Sequence, residues 1–126
     1  QSSQSSQLYY NAMVSVQSKR YQRAVELFDK YLSLYPHGRH AADSYYWLAD
    51  SHLHLKHNDI VIKYLLSLVN NFPNYKKAAA TYLRLAIMME QKHNLVQAEQ
   101  LLQKTIKLHF GSFEAKVAQM KLDRDY

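Results

Sequence analysis

The sequence predicts an all-α fold, a solenoid of three antiparallel helical hairpins closed by a capping helix. Three observations predict it. Residues recur at a fixed interval of 37: Ala12, Ala49 and Ala86 fall in register, as do Ala24, Val61 and Ala98, then Phe28, Leu65 and Leu102. Within each interval the apolar residues return every third or fourth position, the spacing of one buried helical face. The two prolines stand at equivalent places, Pro36 and Pro73, and the two glycines, Gly38 and Gly111, also lie where units end. A repeat this regular decides the architecture, because each unit buries its apolar face on its neighbours.

The elements follow in order. Residues 1–7 (QSSQSSQ) are polar and of low complexity, so a flexible tether is expected there. Unit one covers residues 8–38. Its first helix runs from Leu8 to about Ser18, a turn falls at Lys19-Arg20, and the return helix Tyr21–Leu34 buries Ala24, Leu27, Phe28, Tyr31 and Leu32. Pro36 stops that helix, since the residue before a proline resists the α region. Gly38 is the expected site of a left-handed turn. Unit two (41–75) repeats the scheme with a turn at Lys56–Asp59. Unit three (77–111) does so with a turn at Lys92–Asn94, ending on Phe110-Gly111 instead of proline. Residues 112–122 form the capping helix, with Ser112 as N-cap and Phe113, Val117, Met120 and Leu122 as its apolar positions; residues 123–126 are left as a tail. Small residues at Ala12, Ala49 and Ala86 let the hairpin helices cross closely.

The repeat architecture narrows the function to binding. Nothing in the chain is an apolar run of about 18 residues, so no segment is expected to span a membrane. Cysteine is absent, which excludes disulfides and cysteine-based metal sites. The formal charge of +6 comes from 16 Lys and Arg against 10 Asp and Glu. The cations are scattered, with no run longer than Lys19-Arg20 or Lys76-Lys77, so a solvated surface accounts for them better than a nucleic-acid patch. No phosphate-cradling loop can be built from two junction glycines, and no local catalytic motif appears. No enzyme activity, cofactor or metal is expected. Asp50, His54 and His57 have the i, i+4, i+7 spacing of one helical face, but three ligands on one helix span too much length for a closed tetrahedral site.

The repeat resembles the tetratricopeptide repeat (TPR). The small residue of the first helix is Ala12, Ala49 or Ala86; the small residue of the second is Ala24, Val61 or Ala98. The large apolar is Phe28, Leu65 or Leu102, and the closing residue is Pro36, Pro73 or Phe110. Asn11 stands where Leu48 and Leu85 precede the later alanines. The period exceeds the family's usual length of about 34, the extra residues following the proline. Proline, paired alanines and Tyr45-Tyr46-Trp47-Leu48, with Gly111, Ser112, Ala115, Ala118 and Leu122 at the close, are similar to the C-terminal repeat domain of the CpoB/YbgF family. Outer-membrane assembly lipoproteins of the BamD type use similar long repeats.

That resemblance implies a periplasmic, non-enzymatic module of the Tol-Pal system. It would bind TolA, and a peptidoglycan synthase as a further partner, to coordinate wall synthesis with outer-membrane constriction in cell division. It also implies a monomeric repeat domain, with trimerisation residing in a coiled coil that precedes it in the family. In such arrays the first helices line the concave face, which here assigns Tyr9, Met13, Asp43, Tyr46, Trp47, Asp50, His54, Arg84 and Ile87 to partner binding. Tyr, Trp, Met and Arg are the residue types enriched at binding hot spots. The Lys and Asn pairs that clamp a terminal carboxylate in some TPR proteins are replaced, leaving Arg84 as the one cation at those positions. An apolar or basic partner fits this surface better than an acidic tail.

Overall fold

The structure is a computed structural model describing residues 3–126. Seven α-helices and no strands occur among the described residues: α1 Ser3–Gln17, α2 Tyr21–Leu34, α3 Ala41–His54, α4 Asn58–Asn71, α5 Ala78–Gln91, α6 Leu95–Leu108 and α7 Phe113–Asp125. They divide into two compact units, Gln1–Asn70 and Asn71–Tyr126. The first holds the hairpins α1–α2 and α3–α4, with α2 packed on both α1 and α3; the second holds α5, α6 and α7, with α6 packed on both of its neighbours.

The expected core forms. Ala12, Ala49 and Ala86 are buried, as are Ala24, Val61 and Ala98 and then Phe28, Leu65 and Leu102. In the second unit Ala86, Leu102 and Ala118 make a cluster that Leu83, Leu101, Ile106 and Leu122 complete. Three buried hydroxyls are satisfied along their own helices. Ser51, Thr81 and Thr105 each donate to the carbonyl four residues back, at 2.8, 2.7 and 2.8 Å.

Each hairpin turns through one left-handed residue, and the three sit 37 apart: Lys19 (φ 60°), Lys56 (φ 64°) and His93 (φ 60°). The following residue closes the turn by donating its N–H five residues back: Arg20 to Ser15, His57 to His52 and Asn94 to Met89, at 2.8–2.9 Å. This is the Schellman arrangement, usually built on glycine.

Four expectations are corrected. Gly38 is not left-handed; it sits in a pair of consecutive turns, its N–H donating to the Tyr35 carbonyl and its own carbonyl accepting from Ala41 N–H. Tyr75 occupies the same turns in the next unit, so no glycine is required, and the left-handed glycine is Gly111 (φ 85°). The polar stretch expected to be a tether is helical from Ser3, while residues 1 and 2 lie outside the described residues. Ser5 is buried and stands four residues before Tyr9 and seven before Ala12, so the buried stripe of α1 runs back into it.

The C-terminal tail is also helical, to Asp125. Lys121 Nζ pairs with Glu90 at 3.0 Å, and the Tyr126 hydroxyl donates to the same carboxylate at 2.8 Å. Ser112 caps α7 as expected, its Oγ accepting from Ala115 N–H at 3.0 Å. However, α7 buries Ala115 and Ala118 while Phe113 and Met120 are exposed. At the positions where α5 carries Tyr82 and Ala86, α7 carries Gln119 and Asp123, hydrogen-bonded to each other at 2.8 Å.

Candidate functional site

Asp43, Trp47, Asp50 and His54 fall on one stripe of α3, at intervals of four, three and four, with Tyr46 beside them. Tyr46, Trp47, Asp43 and Asp50 are all half-buried. Tyr46 and Trp47 meet edge to face, with ring centroids 5.2 Å apart and an interplanar angle of 87°, the arrangement that the aromatic quadrupoles favour. This stripe therefore presents a fixed aromatic pair between two carboxylates. Its base is held by Leu48 and Ala49, which turn into the core beside it.

His54 ends the stripe. Its ring stacks flat on Tyr21 at 4.1 Å, and its Nε2 lies 3.6 Å from Asp50. Tyr21 opens α2, so His54 is spent on joining α2 to α3, although it keeps an exposed edge. Met13 is half-buried on α1, the helix adjacent to α3 through the gap beside α2. Arg84 and Ile87 lie exposed on α5 in the second unit.

Tyr9 differs from expectation. It is buried and stacks on His40 at 4.1 Å with the rings 3° from parallel; Tyr31 approaches its edge at 6.1 Å. Burial, with Asp43 adding to it, pushes its phenol up to about 12. Tyr9 thus knits α1 to α2 and to the start of α3 instead of lying open. Tyr31 is fully buried, as the spacing predicts, and its hydroxyl accepts from His40 N–H at 3.0 Å. His40 is held neutral: burial lowers its pKa, Arg39 lowers it further, and Asp43 opposes both.

A second cluster escaped the sequence reading. His52, at the end of α3, lies 3.1 Å from His57 between their Nδ1 atoms and stacks on Tyr64 of α4. Tyr64 donates to Asp29 of α2 at 3.4 Å. Helical spacing had grouped His57 with Asp50 and His54, but α3 stops at His54, so His57 lies beyond the reach of that periodicity. The pairing depends on the left-handed Lys56, which no residue preference signals. Among the described residues no three His, Asp or Glu side chains converge as a metal site, and no helix is long and apolar enough to cross a membrane.

The fold is similar to that of the type III secretion chaperone SycD of Yersinia enterocolitica. In complex with a peptide of the translocator YopD, that structure matches with a TM-score of 0.73 and 20% identity over 98% of this chain and 89% of SycD. A second SycD structure matches with a TM-score of 0.66 and 20% identity, covering 94% and 84%. At this identity the likeness is one of fold. No curated protein sequence matches the chain significantly. A family model described as "YfiO: Outer membrane lipoprotein" matches residues 1–122, and the chain belongs to that family.

Proposed function

We propose that this chain is a protein-binding module of the bacterial envelope, working at the periplasmic side of the outer membrane, with α3 as its recognition helix. The observation that carries this reading is the half-exposed Tyr46–Trp47 pair flanked by Asp43 and Asp50. Rigid aromatic rings contribute contact area at little entropic cost, and two carboxylates select a basic neighbour over an acidic one. The partner is therefore an extended segment carrying apolar side chains with Lys or Arg between them. The SycD structure, which holds a peptide of its translocator, supports the same use of this fold.

Family membership favours an outer-membrane assembly scaffold as the setting. The Tol-Pal reading, with TolA as partner and a role in cell division, is supported by the long period and by the closing Gly111-Ser112 and Ala115-Ala118-Leu122 pattern, and it stands second. Calorimetric titration separates them: one arm uses the periplasmic part of TolA, the other the periplasmic domains of outer-membrane assembly proteins from the same organism. Saturable binding in the second arm alone, lost in the Tyr46→Ala/Asp50→Ala double variant, supports the first reading. Binding to TolA alone, lost in the same variant, reverses the order. Binding that survives the double variant refutes α3 as the recognition helix.

A further inference from the structure

We infer that His52 and His57 form a two-histidine chelate for a divalent transition ion of the Cu²⁺, Ni²⁺ and Zn²⁺ class. The two Nδ1 atoms stand 3.1 Å apart. With metal–nitrogen bonds of about 2.05 Å, that separation corresponds to an N–M–N angle of roughly 100°. The value falls between square-planar and tetrahedral geometry; the ring centroids are 5.3 Å apart, which sets the two nitrogens head-on, so the exposed His57 ring turns to bring both lone pairs onto one ion.

The His52 ring and the backbone of His57 are held in place before any ion arrives. His52 is buried and stacks on Tyr64 with the rings 12° from parallel. His57 follows the left-handed Lys56; its N–H donates to the His52 carbonyl at 2.9 Å, and its own carbonyl accepts from Ile60 and Val61 N–H, both at 3.1 Å. The ion would enter from the side of His57, which is exposed.

The hairpin itself does not require these histidines. The same turn closes with Ser15 and Arg20 in the first hairpin and with Met89 and Asn94 in the third. Without an ion, one Nδ1 carries a proton and donates it to the other. Binding moves that proton to Nε2, so both neutral rings present a lone pair and no net proton is lost. The groups facing the pair suit a cation. Asp29 of α2 lies near His52 and accepts from Tyr64 of α4. Two protein ligands leave the remaining positions to water, and among such sites Cu²⁺ binds most tightly.

The test is titration of the protein with copper sulfate, followed by calorimetry and by histidine ring NMR, with nickel and zinc salts for comparison. One equivalent of Cu²⁺ should bind, with the His52 and His57 signals affected together. Affinity should fall at least tenfold in His57→Asn, whose exposed position leaves folding intact, and in His52→Gln, while His54→Asn should bind as the parent does. Unchanged affinity in His57→Asn, or an equal loss in His54→Asn, would overturn the site and leave dispersed surface histidines as the explanation. The readout is independent of any protein partner.

Discussion

Replacing Lys56 by glycine should make this protein more stable. Lys56 holds φ at 64°, and an L-residue in that region costs roughly 1–2 kcal/mol through the clash of Cβ with its own backbone. Glycine avoids the clash but gives up roughly 0.5–1 kcal/mol in extra chain entropy of the unfolded state. The difference is a gain of about 0.7 kcal/mol. The Lys56 side chain is exposed, so little packing is lost with it. Urea denaturation followed by circular dichroism should show a higher midpoint at unchanged slope. Lys19→Gly, in the equivalent turn between α1 and α2, should add a similar increment, the two turns being separate in the chain. Lys63→Gly is the control: its exposed position inside α4 should cost about 1 kcal/mol. A loss of stability in both turn variants would refute the left-handed geometry and, with it, the closure that brings His57 to His52.

Two further outcomes follow from the packing and the buried rings. Ala49→Leu should cost roughly 1–3 kcal/mol, because Ala49 is 2% exposed and α3 has no space for a branched side chain there; a melt identical to the parent would contradict the close crossing. Stability should also decline on acidification. His40 and His52 have folded pKa values lowered below the ordinary 6.5, so as pH falls through 6.5 the unfolded chain binds protons before the folded one does. The stabilisation is complete above 6.5 and is lost as pH drops toward the folded values. Denaturation midpoints measured between pH 7.5 and 5 should fall, and His40→Asn should flatten the decline; a rise in stability on acidification would contradict the neutral, buried state of both rings.

What the sequence made legible was whatever the repeat enforces on every unit. Ala12, Ala49 and Ala86, or Phe28, Leu65 and Leu102, announce themselves because the same physical position imposes the same demand three times. The turns were placed to within two residues, the second running too far because α4 already starts at Asn58, but their left-handed residues were not identified, since Lys19, Lys56 and His93 are not the residues that conformation prefers. Gly38 misled for the converse reason: it is a permissive residue in a turn that does not need one. Contacts between helices were the least legible. Nothing in the spacing of Tyr9 and His40, or of Tyr21 and His54, indicates that each pair stacks at 4.1 Å. Those stacks turn Tyr9, and one face of His54, from candidate binding surface into structural joints.

The proposed recognition surface is consequently narrower than the repeat register implied, and it centres on α3. Trp47 is the one tryptophan in the chain, so its emission reports on that helix alone. The most direct measurement is a fluorescence titration with an extended peptide that alternates apolar and basic residues, set against its acidic counterpart. The account expects saturable change with the basic peptide, weakened at least tenfold in Asp43→Asn/Asp50→Asn and little or none with the acidic one. Equal response to both peptides, or binding unaffected by loss of the two carboxylates, would contradict it.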